Sequence, residues 1–286
     1  MKRMPWLVLM FLAAFKAVWG EDAAPAATPP VDSWKKQVVA SLNLNQGAFS
    51  DWQQGGTNFI SWQAAFNARL ENDNAASNWL NTLKLEYGLT YIDGQGTRKS
   101  ADNLDLESVF AWKTWPQVNP FVSFSAKSQF DAGFDYSQDP AVQTSAFLDP
   151  GYFTETAGLK YVPGPEFNTR LGLAVKETVA DKFQAIYTVD PDTGKLQGVL
   201  TELGAGWVSE LNLKFSEDSK FGSKLDLFWN GKGLDRTVAE WDNLLSIGLN
   251  KVLSVNIEND YRYDPKVYLG WQIKETVGLG FAYNLL

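Results

Sequence analysis

The chain has 286 residues, with neither cysteine nor histidine. That excludes disulfides, thiolate chemistry and the Ser–His hydrolase mechanism, and it removes the commonest metal ligand. Acidic residues number 33 against 25 basic ones, a formal net charge of −8, so nucleic acid is not expected as a partner.

Lys2 and Arg3 precede an apolar run at residues 5–15, and Val18-Trp19-Gly20 offers a cleavage site before Glu21. Residues 1–20 therefore read as a secretory signal peptide. The run is too short for a membrane helix, which needs about 20 apolar residues to cross ~30 Å of hydrocarbon, and no later stretch approaches that length. Without Lys2, Arg3 and Lys16, 22 basic residues face 33 acidic ones, a charge of −11. Residues 21–34, rich in Ala and Pro, read as a periplasmic linker, and residues 35–286 as the folded domain.

From Gln37 onward, apolar residues occupy alternate positions in twelve segments, the period of a strand with one apolar and one polar face. The apolar faces are, in chain order, Val38 to Leu44; Ile60, Trp62, Ala64, Phe66, Ala68 and Leu70; Trp79, Leu83, Leu85, Tyr87, Leu89 and Tyr91; and Leu104, Leu106, Phe110 and Trp112. Next come Val122, Phe124, Ala126 and Phe130; Phe153, Ala157, Leu159 and Tyr161; Phe167, Leu171, Leu173 and Val175; and Leu203, Ala205, Trp207, Leu211, Leu213 and Phe215. The series ends with Phe221, Leu225, Leu227 and Trp229; Ala239, Trp241, Leu245, Ile247 and Leu249; Leu253, Val255, Ile257 and Tyr261; and a closing strand from Val267 to the C-terminus. In that last strand only Glu275 breaks the alternation.

Connections alternate between short and long. Residues 71–78, 114–119, 162–166, 216–220 and 250–251 join strands at one end, and residues 46–57, 92–102, 136–151, 177–201, 230–237 and 262–266 join them at the other. Short periplasmic turns and longer outer loops are the pattern of a transmembrane barrel, and an even strand number puts both chain ends in the periplasm. Within 177–201, Val179, Phe183, Ala185, Tyr187 and Val189 prolong the alternation before the turn Pro191-Asp192-Thr193-Gly194. A hairpin projecting beyond the membrane is expected there, with an irregular long loop as the alternative.

The aromatics, 14% of the chain with 12 tryptophans, fall in two bands. Trp62, Trp207, Trp229, Trp241, Tyr261 and Trp271 lie near the long loops, whereas Trp79, Phe110, Trp112, Tyr161, Phe215, Phe221, Phe281 and Tyr283 lie near the short turns. A bilayer selects such girdles at its two interfaces, while a soluble β-sandwich gathers its aromatics in mid-core. The expected fold is all-β: a transmembrane antiparallel up-and-down β-barrel of about twelve strands in the cell outer membrane. Its expected partners are outer-membrane lipid and, during biogenesis, the barrel-assembly machinery.

The segment Trp52-Gln53-Gln54-Gly55-Gly56-Thr57-Asn58, after Phe49-Ser50, resembles the Trp-x-x-Gly-Gly-x-Asn signature of an uncharacterised bacterial family known only as a domain of unknown function. Similar too are Tyr87-Gly88, Lys99-Ser100-Ala101-Asp102, Gln129-Phe130 with Gly133-Phe134, Gly158-Leu159-Lys160-Tyr161, and residues 274–283 in the last strand. The resemblance spans most of the chain and implies an outer-membrane β-barrel, with no activity attached. Such barrels usually end on an aromatic, whereas this chain ends Leu285-Leu286, so Phe281 and Tyr283 are expected to serve as the assembly signal. Gly55 and Gly56 permit backbone conformations closed to other residues, and Trp52 and Asn58 beside them read as a tight loop packed at the barrel mouth, with ligand stacking as the alternative.

No catalytic residue, metal site or cofactor is expected. Glu240 with Asp242, and Glu258 with Asp260, are carboxylate pairs two apart on one strand face, where lumen cations match them better than an acid/base role does. The Asp190-Pro191-Asp192 tip reads as a solvated turn rather than a cation site. What remains is the lumen, for which Arg69, Lys84, Glu86, Lys127, Asp131, Arg170, Glu210, Lys214, Lys224 and Asp226 are the lining candidates. Buried charges need partners, and interleaved signs suit a cross-strand network better than a selective ring of one sign. The expected function is a narrow passive channel for small polar solutes, the transported solute being unspecified. The alternative is a non-conducting structural or interaction barrel with a charge-filled lumen and functional outer loops.

Overall fold

Alternation carries through into a computed structural model of the chain, which describes residues 34–50, 53, 56–250 and 252–284. The expected signal peptide and linker, up to residue 33, lie outside the described residues, as do Trp52, Gly55 and the two C-terminal leucines. Among the described residues fourteen strands form: β1 Lys35–Gly47, β2 Phe59–Asp73, β3 Ser77–Ile92, β4 Gly96–Trp112, β5 Val118–Ser128, β6 Gly133–Asp135 and β7 Val142–Ser145. They continue as β8 Gly151–Tyr161, β9 Phe167–Val179, β10 Val199–Lys214, β11 Ser219–Trp229, β12 Val238–Gly248, β13 Leu253–Asp264 and β14 Tyr268–Asn284.

Twelve of these close into an antiparallel barrel in chain order, with only β6 and β7 set aside as a small two-stranded sheet. Closure comes from β1 on β14, in register from Val39↔Asn284 to Leu44↔Leu279. Every barrel strand thereby has two neighbours, which leaves no strand of the wall as a free edge. Among the described residues no helix is long and apolar enough to cross a membrane.

Both ends of the described chain reach the end of the barrel that carries the short turns. Two of those turns show how sequence makes them. Asn74 Oδ1 accepts from the Ala76 and Ser77 amides at 2.8 and 2.9 Å, and Asn250 Oδ1 accepts from those of Val252 and Leu253, each at 2.9 Å. These Asx turns satisfy backbone donors locally and let the next strand begin at once.

The longer connections depart from expectation in four places. Residues 92–102 are not a loop: β3 and β4 run on to a tight turn at residues 93–95, with Gly94 inside it and Gly96 directly after it at φ 74° and 80°, conformations that favour glycine. Between β5 and β8, the segment folds its own small sheet from β6 and β7. The projecting hairpin does not form beyond Val179; the chain turns in, makes the single-turn helix α1 Gln184–Tyr187, and pairs only Val189 with Leu196. Its cause is Asp149, whose carboxylate accepts from the Asp181 and Lys182 amides at 3.0 and 2.8 Å and takes the groups a ladder would use. Lastly, β13 continues to Asp264, which puts Arg262 in the wall rather than in a loop.

The outer surface is apolar. Leu173, Leu203 and Leu269 are 80%, 73% and 85% exposed, beside exposed Leu171, Ile273, Val277 and Leu279. A contiguous surface of that kind on a closed barrel is incompatible with water and suited to hydrocarbon. Glu275 does stand on this face, opposite Asn259 of β13. Two buried clusters point inward: Val109, Ala111 and Phe121 form one, and Ala174, Phe228 and Val238 the other. Gly158 of β8 and Gly172 of β9 pair on the inner face, where a Cβ on either would press into the neighbouring strand's backbone.

Candidate functional site

The lumen is crossed by ion pairs between strands far apart in the sheet. From β5, Lys127 Nζ reaches Asp226 on β11 at 3.2 Å and Glu240 on β12 at 2.7 Å. From β4, Glu107 takes Lys224 of β11 at 2.9 Å and also Arg170 of β9, whose other nitrogen holds Glu210 of β10 at 3.0 Å. Glu107 and Lys224 stand five strands apart in a ring of twelve, so the pair spans the barrel rather than lining one wall. Asn168 Nδ2 adds a bond to the second oxygen of Glu210 at 3.2 Å. Every charge in this crossbar has an opposite partner, as desolvation demands.

Beyond the crossbar the lumen changes character. Arg170 has 3% of its side chain exposed, whereas Lys84 on β3 retains 42% and Lys274 on β14 retains 40%. Lys84 pairs with Glu86 at 2.9 Å, Lys274 with Asp260 at 3.5 Å, and Arg262 with Asp242 at 2.5 Å. The wall between them is rich in amides, where Asn45 Nδ2 donates to the Val277 carbonyl at 3.1 Å and Asn256 Nδ2 to Asn43 Oδ1 at 3.4 Å. One side of the lumen is thus closed by matched charges, and the other carries charges that still meet solvent.

Of the residues expected to line the lumen, Lys127, Arg170, Glu210, Lys224 and Asp226 meet in the crossbar, and Lys84 and Glu86 face the open side. Arg69 pairs with Glu71 at 3.1 Å toward the short-turn end, and Lys214 ends β10 in an exposed position at that same end. Asp131 is a correction: β5 stops at Ser128, and Asp131 lies outside the barrel wall, exposed, accepting from Tyr87 Oη at 3.0 Å. The Ala132 amide and that hydroxyl hold its carboxyl below the usual range. Glu107 and Glu240, placed inward by the same alternation, belong with the lining set. So does Arg262, hidden in the sequence by the apparent end of its strand at Tyr261.

The ring contacts group by end. Trp62 with Tyr87, Trp241 with Tyr261, and Tyr263 with Trp271 lie 5.3–6.0 Å apart toward the longer loops, while Trp79, Phe110 and Trp112 contact one another at 6.4 and 4.9 Å near the short turns. Trp207, Trp229 and Phe281 are also exposed on the outer face; the Tyr283 side chain lies outside the described residues. Several indoles donate locally, Trp207 to Thr169 at 2.8 Å and Trp241 to Ser223 at 2.9 Å. In the loop motif, Asn58 Oδ1 accepts from the Phe49 amide at 2.6 Å and Gly56 has φ 146°, a loop-shaping role for both.

Closed wall, apolar exterior and charged interior together define a transmembrane β-barrel of the outer-membrane type. Residues 44–134 match a family described as "Protein of unknown function (DUF3078)", in keeping with the resemblance drawn from the sequence. No curated protein matches the chain in sequence. Among solved structures, the chain is similar to an outer membrane channel from Pseudomonas putida F1, at 10% identity over 93% of this chain and 99% of that one, with a TM-score of 0.40. It is also similar to the translocator domain of autotransporter NalP from Neisseria meningitidis, at 9% identity over 97% and 93% of the two chains with a TM-score of 0.38. The NanC porin gives 11% identity over 86% and 98%, with a TM-score of 0.41.

Proposed function

We propose that this barrel is a narrow passive channel for small polar solutes, seated in the outer membrane with its short turns and both chain ends on the periplasmic side. The observation that carries this reading is the solvent exposure retained by Lys84 and Lys274, on the side of the lumen away from the crossbar. Mixed signs along the open side favour neutral polar or zwitterionic solutes over one ion sign. The aromatic bands would sit at the two headgroup levels, with lipid as the surrounding partner and the barrel-assembly machinery engaging the chain during biogenesis.

A non-conducting barrel is the second reading, favoured by the span of the Glu107–Lys224 and Lys127–Glu240 pairs. Planar-bilayer recording separates the two. Small, steady, weakly selective openings are expected, and Lys127→Ala should enlarge them by removing a member of the constriction. Silence at all voltages from both proteins would leave the scaffold reading in place.

A further inference from the structure

Two buried lumen lysines, Lys160 and Lys176, stand outside the crossbar, and Lys176 is the one that lines a cavity beside it. Lys176 on β9 is 7% exposed, yet among the described residues it makes no ion pair and no hydrogen bond through its ammonium. Its cross-strand neighbour on β10 is Glu202, the partner that register would supply. That carboxylate is already taken, by Lys266 Nζ at 2.5 Å and Asn230 Nδ2 at 3.2 Å. On the other side Lys176 faces Thr154 of β8, which carries no charge. The ammonium instead lies between two rings, 5.3 Å from the centroid of Tyr152 and 5.6 Å from that of Phe228.

Lys176 lines a cavity of ≈ 50 Å³ shared with Tyr152, Thr154, Thr156 and Phe228. At roughly 10–15 Å³ per water, it has room for a few waters or one small ion with part of its hydration. Ring faces stabilise a cation without neutralising it, so this buried ammonium, which feels Asp264, Glu240 and Glu202 only at a distance, has no counter-charge in direct contact among the described residues. Three crossbar carboxylates line the same cavity and all are engaged, Asp226 and Glu240 by Lys127 and Glu107 by Arg170 and Lys224. The hydroxyls of Thr154 and Thr156 are donors suited to an anion placed against the ammonium.

We propose that this cavity binds one small monovalent anion, a halide or a short carboxylate, held by Lys176 and excluded from bulk solvent by Tyr152 and Phe228. The site is independent of whether the barrel conducts, and it is tested without current. Full-length protein folded in detergent is melted in sodium chloride, sodium acetate and sodium gluconate at equal ionic strength, which removes general screening as a variable. A ligand of the folded state raises Tm in a concentration-dependent, saturable way. Chloride or acetate should do so and gluconate, too large for the cavity, should not; which of the two acts tells halide from carboxylate.

Lys176→Met should abolish the saturable rise while leaving the barrel's heat-dependent gel mobility intact. If that variant fails to fold, a bromide-soaked crystal of the unaltered protein decides, with an anomalous peak expected within hydrogen-bond distance of Lys176 Nζ. Equal melting in all three salts, a rise that survives Lys176→Met, or bromide absent from the cavity would overturn the proposal.

Discussion

Lys127 shows how a single side chain can set the interior of a barrel. Its stem leaves β5 and its ammonium finds two carboxylates on strands β11 and β12, each side chain of the trio 20–30% exposed. Removing one member of a buried pair costs ~3–5 kcal/mol, because the remaining charge stays desolvated; partial exposure here places Lys127→Ala toward the lower end. Asp226 has no other ion-pair partner among the described residues, while Glu240 retains Arg262 at 3.9 Å. A double-mutant cycle in urea should therefore find Lys127→Ala with Asp226→Ala less destabilised than the sum of the two single variants. Strict additivity would mean that the pair is solvated and contributes nothing to ordering the constriction.

At the scale of elements, the connection holding α1 and the one after β11 are tied to each other through Asp192. Its carboxylate pairs with Lys232 and with Arg236, the latter at 3.1 Å. Hydrogen bonds from Lys232 and then Arg236 hold the Asp192 carboxyl below its usual range. A depressed carboxyl stabilises the folded loops at pH above its unfolded value, about 3.9, and that contribution is lost as pH falls through the lower folded value. Hydrogen exchange, corrected for intrinsic rate, should thus show both connections protected at neutral pH and loosened once the medium is more acid than the unfolded carboxyl. Asp192→Asn should loosen them already at neutral pH without altering the barrel strands. An unchanged exchange pattern in the variant would show that the clasp orders nothing.

For the molecule as a whole, closure through β1 and β14 makes the barrel a single hydrogen-bonded ring. Opening any one seam exposes two strand edges at once, which is costly in lipid or detergent. Unheated samples should therefore migrate apart from boiled ones on electrophoresis, and the protein should leave membranes only with detergent. Extraction by salt or alkali alone, with no mobility difference on heating, would contradict a membrane-spanning ring.

How much of this was legible beforehand depended on range. Strand number, the facing of residues such as Leu171 and Arg170, and the Asn74 and Asn250 turns follow from neighbours along the chain, since a period of two and an Asx turn are local properties. The loops were less legible: Asp149 determines the path at Asp181 from 32 residues away, and no pattern near residue 181 announces it. The alternation put Glu107, Lys127, Lys176 and Glu240 inside, but could not say which would meet. Partner choice is made across the ring, where Lys266 takes the carboxylate that register offers to Lys176 and Lys127 reaches over to β12. Sequence alone determined the wall of this protein, because each strand's faces are fixed by its own residues. Only the tertiary structure decided the lumen, because there the contacts are long side chains meeting across a closed sheet whose strands lie distant in the chain.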